Sequence, residues 1–281
     1  MIIDFHTHTF PDAIARTAVD KLQAASHTRP FSDGTAEGLR ASMLRTGIAW
    51  SLVLPVATSP RQVPHINDAA IRLNGEKRCL LSLGGMHPDY PDPEREMERL
   101  RAAGIKGVKL HPPYQGVAMD GPRYLRILKT AAALDMMVVT HAGLDVGLPG
   151  AEQAAPEKIR RAVDAVPQVT LVLAHMGGWR CWEQVERLLP DTPVLLDTSF
   201  SLGVMTPNGD GKLRTQKELR MLSPASFVGL VRLFGADRVL FGTDSPWSDQ
   251  AAYLEQFRAL PLTDGEKAGI LGENAARLLF S

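Results

Sequence analysis

The chain has 281 residues, 44% of them apolar, and its 31 basic and 31 acidic residues leave a formal charge of zero. Without a block of like charge, the sequence argues against broad nucleic-acid or anionic-membrane binding. No apolar run approaches the roughly 20 residues needed to cross a bilayer, and the opening MIIDFHTH lacks the pattern of a secretory signal. We therefore expect a cytoplasmic protein. Cys79 and Cys181 are too few and too far apart to indicate a disulfide framework.

Eight short runs rich in Val, Ile and Leu predict β-strands. In chain order they are MIIDFH, SLVLPVA, LLSLGGMH, GVKLH, MMVVTH, TLVLAH, PVLLDTS and RVLFGTD. Helical spacing marks the segments PEREMERLRAAG, PRYLRILKTAAALD, PEKIRRAVDAV and WEQVERLL between them, and AAYLEQFRAL and LTDGEKAGILGENAARLLF after the last strand. Continuous hydrophobicity within strands is typical of a parallel sheet covered on both faces. Eight β/α units predict an α/β fold, a (β/α)8 TIM barrel forming a single domain over residues 1–281, with a doubly wound sheet as the alternative.

Polar side chains that can bind metals stand at the ends of most predicted strands. They are His8, His87, His111, His141, His175, Asp197 and Asp244. In a barrel of parallel strands the carboxyl ends of all strands lie on one rim, where the active sites of this fold are built. We therefore expect these residues to gather at one functional site.

The first strand carries two histidines one residue apart. Because side chains alternate along a strand, His6 and His8 point to the same side, and Asp4 shares their phase. Two imidazoles so placed can reach one metal ion. The alternative is that one histidine caps the strand while the other bonds a neighbouring loop.

Five motifs together resemble a known family. The HTH of the first strand, KLHP, THAG, AHMGG and FGTDSPW resemble the metal-dependent amidohydrolase superfamily, and more closely its amidohydrolase 2 branch of TIM-barrel hydrolases. That branch also contains the aminocarboxymuconate semialdehyde decarboxylase-like enzymes. The resemblance runs from Ile3 to the terminal GENAARLL.

The resemblance implies that His6, His8, His141 and Asp244 bind one divalent metal ion, with Zn²⁺ expected and Mn²⁺ or Fe²⁺ as alternatives. His175 would be a catalytic histidine or an additional ligand. Such a metal makes hydroxide available at neutral pH. Asp244 could then move the proton, while His175 polarises a carbonyl oxygen.

Lys109 shares its phase with His111 on the fourth predicted strand. Binuclear members of the superfamily carry a carbamylated lysine there that bridges two metals, but the branch resembled here is generally mononuclear. A substrate-binding role and a structural ion pair are the other interpretations of Lys109. His111 and His87 are candidate substrate contacts, with hydrogen bonding at the top of the barrel as the alternative. Asp197 either orients a ligand histidine or bonds loop amides.

Two further features concern the substrate. Arg180 follows HMGG directly, and its planar guanidinium suits a substrate carboxylate, although it could be an exposed arginine at a helix start. Trp247 could form an apolar wall of the site. The loop over residues 200–222 is Gly-rich and basic, and it could be a lid or a solvated excursion; its basic residues are Lys212, Arg214, Lys217 and Arg220.

The leading hypothesis is metal-dependent hydrolysis of an amide, lactone or related carbonyl compound that is small and acidic. The second is non-oxidative decarboxylation of an aromatic or unsaturated carboxylic acid, because a metal polarises a substrate oxygen as readily as it activates water. A non-catalytic barrel that binds metal or ligand is disfavoured by the presence of both Asp244 and His175. We expect a small-molecule substrate as partner, with neither nucleic acid nor membrane, and leave a homodimer open.

Overall fold

The computed structural model describes residues 1–76, 79–213 and 215–280, and within those ranges it has nine strands and thirteen α-helices. The strands are β1 Ile3–Thr7, β2 Trp50–Val53, β3 Leu80–Ser82, β4 Gly84–Gly85, β5 Gly107–Leu110, β6 Met137–Thr140, β7 Leu171–Leu173, β8 Leu195–Asp197 and β9 Val239–Leu240. The helices are α1 Asp12–Ser26, α2 Ala36–Thr46, α3 Val63–Gly75, α4 Pro93–Ala102, α5 Pro112–Gln115, α6 Pro122–Ala133, α7 Pro156–Ala165, α8 Trp182–Leu188, α9 Gln216–Leu219, α10 Pro224–Phe234, α11 Gln250–Arg258, α12 Asp264–Ala268 and α13 Asn274–Leu279. No described helix is long and apolar enough to span a membrane.

All eight predicted strand runs contain strand, but the third run is split into β3 and β4. Asn74 explains the break, because its side chain accepts from Ser82 N at 2.6 Å and donates to Ser82 O at 3.1 Å. Ser82 therefore has both backbone groups occupied before Leu83, whose N–H donates to Val53 O at 3.1 Å. A side chain that competes with the ladder for backbone groups ends a strand locally.

The C-terminal run, predicted as one helix, is instead divided by a single π-turn at Gly269–Glu273 between α12 and α13. Two contacts hold this segment in place. Asn274 Nδ2 donates to Ala236 O at 2.8 Å and to Val239 O at 2.7 Å. A π-turn inserts one extra residue into a helix. With that residue, Asn274 keeps both hydrogen bonds and the chain continues as a helix into α13.

The chain groups into two compact units, which we describe separately. The first comprises Met1–Leu52, Val146–Pro149 and Asp197–Ser281, and the second Val53–Asp145 and Gly150–Leu196.

In the second unit, β4 to β8 pair in chain order and in parallel. Leu110 pairs with Thr140, and Thr140 with Leu173, so β5, β6 and β7 end at one level. The residues that follow these strand ends therefore lie at one edge of the sheet, as the sequence pattern predicted.

In the first unit, the segment after β9 runs parallel to β1. Phe5 N donates to Phe241 O at 2.7 Å, Asp244 N to His6 O at 2.8 Å and His8 N to Ser245 O at 2.7 Å. A Cβ on Gly242 would lie 2.8 Å from His6 Cβ, so glycine is required for this close approach. The pairing carries Asp244 alongside the histidines of β1.

Gln115 at the end of α5 ties together three segments of the second unit. Its Nε2 donates to Ala57 O and Met86 O, each at 2.7 Å, and its Oε1 accepts from His111 N at 3.0 Å and from the Tyr124 hydroxyl. The Gln115 side chain thus makes four hydrogen bonds, which is its full capacity for a buried amide. This amide fixes the backbone at Met86, just before His87, and at His111 itself.

Candidate metal centre and the histidine clusters

Three metal-capable side chains come together in the first unit. His6 Nε2 lies 3.2 Å from His8 Nε2 and 3.5 Å from Asp244 Oδ1, and His8 Nε2 lies 3.0 Å from Asp244 Oδ1. His6 and Asp244 are buried and His8 is half-buried. The alternation along β1 therefore places both imidazoles on one side, as predicted, and the loop after β9 adds the carboxylate.

The donor set fits a divalent metal ion. Ligand bonds of about 2.0 to 2.2 Å in a tetrahedral site place neighbouring donor atoms roughly 3.3 to 3.5 Å apart. The separations among these three atoms span 3.0 to 3.5 Å, so one ion could replace the hydrogen bonds with little movement. Two nitrogens and one carboxylate oxygen suit zinc, manganese or iron.

Asp197 orients the first histidine. Its fully buried carboxylate accepts from His6 Nδ1 at 2.7 Å, while its other oxygen accepts from Ser199 N at 3.0 Å and Ser199 Oγ at 2.5 Å. Because a carboxylate only accepts, the ring proton is on Nδ1, and the lone pair of Nε2 faces His8 and Asp244. Asp197 therefore fixes the orientation of the His6 ring, and a ligand role for His6 stays a prediction.

Asp4 shares the phase of the two histidines, but its carboxylate bonds the loop after β9 and the start of α11. Its carboxylate accepts from Thr243 N at 2.9 Å, Thr243 Oγ1 at 2.6 Å and Gln250 Nε2 at 2.7 Å. Burial raises the pKa of Asp4 to about 6, against the lowering effect of these bonds. Its role is to hold the Asp244 loop against β1.

The second unit holds a separate cluster of buried imidazoles at the ends of β5 to β7. The rings of His111 and His141 stack with centroids 4.4 Å apart, and His175 Nε2 lies 3.1 Å from His141 Nδ1. Asp145 Oδ2 lies 3.5 Å from His111 Nε2 and 3.8 Å from His141 Nε2. These residues meet because β5, β6 and β7 end at the same level of the sheet.

The tautomer of His141 follows from its contact with Leu144. Since a carbonyl oxygen only accepts, the 2.9 Å contact between His141 Nε2 and Leu144 O places the ring proton on Nε2. In the neutral ring, Nδ1 then carries the lone pair. His141 Nδ1, which lies 3.1 Å from His175 Nε2, is therefore the atom that could ligate a metal.

A short ladder joins the segments that follow His141 and His175. Trp179 N donates to Ala142 O at 2.8 Å, and Leu144 N donates to Trp179 O at 3.0 Å. Gly143 lies between them with φ +85°, and a Cβ there would lie 2.5 Å from the carbonyl carbon of Gly178. Glycine is the residue that this approach and this backbone angle allow.

The loops bearing the predicted catalytic residues have unusual backbone angles. Among the described residues, seven other than glycine have positive φ, including His175 at 59°, Met176 at 52°, Arg180 at 62° and Asp244 at 68°. Each costs of order 1 kcal/mol or more relative to ordinary backbone, and such residues concentrate at functional sites.

The remaining predicted site residues are placed as follows. Lys109 is buried within β5, and His87 is buried after β4, where its Nδ1 accepts from Asp89 N at 3.1 Å. Burial lowers the pKa of His87. Trp247 is half-buried in the turn after Asp244, and its N–H donates to Asp244 O at 2.8 Å. Their contacts with substrate stay predictions.

The loop over 200–222 is partly anchored in the first unit. Arg29 N donates to Thr206 O at 2.8 Å, and Asn208 N donates to His27 O at 2.9 Å. Its basic side chains Lys212, Lys217 and Arg220 are exposed, while Arg214 lies outside the described residues. A role as a lid stays a prediction.

Sequence reasoning missed Asp145 and Ser199. Asp145 is four residues beyond the end of the strand motif, in THAGLD, where strand periodicity no longer applies. Ser199 follows Asp197 at a spacing of two, and the DTS motif offers that signal, since a serine there can donate back to the aspartate.

The family model described as Amidohydrolase matches residues 3–280 of the chain, whereas no curated protein matches it. An uncharacterized TIM-barrel protein from Bordetella bronchiseptica aligns with a TM-score of 0.76 and 20% identity, covering 99% of this chain and 98% of that chain. A 5-carboxyvanillate decarboxylase from Sphingomonas paucimobilis aligns with a TM-score of 0.67 and 18% identity, covering 99% and 98%. A 5-carboxyvanillate decarboxylase from Novosphingobium aromaticivorans, complexed with manganese and 4-hydroxy-3-methoxy-5-nitrobenzoic acid, aligns with a TM-score of 0.73 and 15% identity, covering 99% and 96%. The predicted TIM-barrel fold is confirmed.

Proposed function

We propose that this chain, which belongs to the amidohydrolase family, catalyses metal-dependent, non-oxidative decarboxylation of an aromatic carboxylic acid. Its membership makes it a metal-dependent enzyme, as the sequence motifs predicted. The observation that carries the finer proposal is the whole-chain similarity to aromatic-acid decarboxylases, two of which hold manganese and a nitroaromatic ligand, combined with a compatible donor set at His6, His8 and Asp244.

His6, His8 and Asp244 would hold the metal, and the family resemblance adds His141 as a further ligand. When bound, the ion supplies a Lewis acid that neutralises negative charge on substrate oxygens. The described donors fit manganese and zinc alike. We propose a single ion and an unmodified Lys109, because the amidohydrolase 2 branch that the motifs resemble is generally mononuclear.

The reaction requires one proton. The bond between the ring carbon and the carboxylate breaks, carbon dioxide leaves, and the electron pair left on the ring carbon takes up a proton. We assign the delivery of that proton to Asp244. Its backbone is fixed by its own N–H to His6 O and by Trp247 N–H to its carbonyl, both at 2.8 Å, so its carboxyl group is held in a defined position. Solvent then returns the proton to Asp244.

His175 would hydrogen-bond a substrate oxygen. Its backbone carbonyl accepts from Trp182 Nε1 at 3.0 Å, which holds the residue in its left-handed conformation. A donor held rigidly before the reaction stabilises developing charge without reorganisation.

Amide or lactone hydrolysis, which the sequence analysis put first, would use the same residues. The two reactions differ in the fate of a solvent proton. Decarboxylation in D₂O places one deuterium on the ring carbon that lost carbon dioxide, and hydrolysis places none on carbon.

The test uses manganese-loaded protein with a panel of hydroxybenzoates and carboxyvanillates, and measures carbon dioxide release and deuterium incorporation. We expect one deuterium per carbon dioxide, and an activity loss of at least about 100-fold in Asp244→Asn, typical of removing a proton-transfer group. Asp249→Asn, which alters the cap of α11 five residues later, should retain activity. Hydrolysis of amides or lactones without any carbon dioxide release would refute the proposal.

A further inference from the structure

The chain contains two Asn–Gly dipeptides, at residues 74–75 and 208–209. An asparagine before glycine is prone to lose its side-chain amide, because glycine has no side chain to hinder attack by its own backbone nitrogen. Asparagine is accordingly counted among the thermolabile residues. The two dipeptides are alike in sequence, but the structure places them in different surroundings.

Asn74 lies in the last turn of α3, which ends at Gly75. The helical conformation holds the Gly75 nitrogen away from the Asn74 side chain, because helix N–H groups point toward the carbonyl four residues earlier. That side chain is also held by Ser82, whose N–H donates to Asn74 Oδ1 at 2.6 Å and whose carbonyl accepts from Asn74 Nδ2 at 3.1 Å. Attack at this site therefore requires the end of α3 to open first.

Asn208 lies in the loop over 200–222, outside helices and strands. Gly209 is exposed, a Cβ there would meet nothing within 4 Å, and among the described residues its N–H has no hydrogen-bond partner. The nitrogen that would attack is therefore free. Asp210 N donates to Asn208 Oδ1 at 2.9 Å, and such a donor stabilises the negative charge that develops on this oxygen during attack.

Asn208 also ties this loop to the end of α1. Its Nδ2 donates to Gln23 O at 3.3 Å and its backbone N–H donates to His27 O at 2.9 Å. We call these two bonds the loop anchor. A carboxylate at position 208 cannot donate to Gln23 O, and its charge would face the negative end of the α1 dipole. Asp210, two residues later, adds a second negative charge nearby.

We propose that Asn208 is a site of spontaneous deamidation, and that the carboxylate it produces releases the loop anchor. In the first step the Gly209 nitrogen forms a bond to Asn208 Cγ and gives its proton to solvent. The bond between Cγ and Nδ2 breaks, and that nitrogen takes up a proton and leaves as ammonia. The cyclic imide then takes up one water molecule, which opens it to aspartate or isoaspartate. Neither metal nor substrate takes part, so conversion is independent of the proposed reaction.

The first experiment incubates the folded, metal-loaded protein at mildly basic pH and follows both dipeptides by peptide mass spectrometry. We expect Asn208 to convert at least about 10-fold faster than Asn74, because only Asn74 requires local opening. In the urea-unfolded chain the two should convert at similar rates, which makes Asn74 an internal control. Equal rates in the folded protein would overturn the proposal, as would an unmodified Asn208 under conditions that convert the unfolded chain.

The second experiment measures amide hydrogen exchange in Asn208→Asp, which carries the product of the reaction. Arg29 N, which donates to Thr206 O at 2.8 Å beside the loop anchor, should exchange about 10-fold faster than in the wild type. Met205 N, which donates to Leu219 O at 2.8 Å, should stay within about twofold.

The matched control for charge is Gln216→Glu, which adds one negative charge at an exposed position of the same loop. It should leave the exchange of Arg29 N unchanged. Unchanged exchange at Arg29 in Asn208→Asp would refute the release of the loop anchor while leaving the modification site in place. Equal acceleration at Arg29 in Gln216→Glu would show that added charge, and not the loss of the loop anchor, is the cause.

Discussion

Replacing Asp197 by Asn should weaken metal binding through the tautomer of His6. One Asp197 oxygen accepts two bonds from Ser199, and the other accepts from His6 Nδ1. In Asp197→Asn the amide oxygen keeps the Ser199 bonds, so the amide NH₂ faces His6. The ring must then accept at Nδ1 and carry its proton on Nε2, the nitrogen that faces His8 and Asp244.

Loss of an orienting carboxylate behind a ligand histidine costs about 10- to 100-fold in metal affinity, or roughly 1.4 to 2.8 kcal/mol. The full burial of Asp197 places our expectation at the upper end of that range. The affinity is measured by titrating metal-free protein with Zn²⁺ or Mn²⁺ against a chromophoric chelator, with thermal unfolding as a check that the variant is folded.

Asp4→Asn is the matched control. Asp4, within β1, is also a fully buried aspartate, but the bonds of its carboxylate to side chains go to Thr243 and Gln250 and not to a histidine ring. We expect this variant to lose stability and to keep metal affinity within about threefold, because the amide oxygen can still accept from Thr243 N and hold the Asp244 loop, and because the tautomer of no ligand histidine depends on Asp4. A folded Asp197→Asn protein that binds metal as tightly as the wild type would refute the reasoning.

Three further outcomes are expected. Gly143→Ala should lower the free energy of unfolding by about 2 to 4 kcal/mol, because the new Cβ meets the backbone of Trp179 and φ is positive. Gly104→Ala is the control, since Gly104 has positive φ but open space, and it should cost about 1 kcal/mol. Equal losses in chemical denaturation would contradict this. Removing metal with a chelator should lower the unfolding temperature, and readdition at 100 times the dissociation constant should restore about 2.7 kcal/mol; an unchanged temperature would speak against a bound metal. Hydrogen bonds from Thr35 lower the pKa of Asp33 below 3.8, so this carboxylate stabilises the fold above that pH and the stabilisation is lost as pH falls. The unfolding-temperature deficit of Asp33→Asn at pH 7 should therefore vanish at low pH, and a constant deficit would be inconsistent with the ionic origin.

The sequence was sufficient for features that depend on period and phase. Alternation along β1 placed His6 and His8 together, and the shared position after each strand placed His111 and His141 together, because β5 and β6 end in register. The same reasoning correctly located the strands, since each is a continuous apolar run.

Features that depend on contacts between distant segments were out of reach. The bond between His6 and Asp197 joins residues 191 positions apart, and the sequence left two roles open for Asp197. Asn74 interrupts the third strand from a neighbouring helix, which a local apolar pattern cannot report. The left-handed backbone of His175 and Asp244 is likewise invisible to a pattern of apolar and polar residues, because these residue types disfavour that conformation.

The four bonds made by Gln115 restrict how this protein can change over evolutionary time. A replacement that lacks two N–H donors at this point leaves at least one buried carbonyl at Ala57 or Met86 unsatisfied, at a cost of about 1 to 3 kcal/mol each, and one that lacks an acceptor removes the partner of Tyr124. A transplant of the segment after β5 from a relative would therefore need its own partners for these atoms. We therefore expect Gln115 and its hydrogen-bonding partners to be exchanged together in evolution. Between such exchanges, we expect single substitutions to be accepted around Gln115 while Gln115 itself is kept.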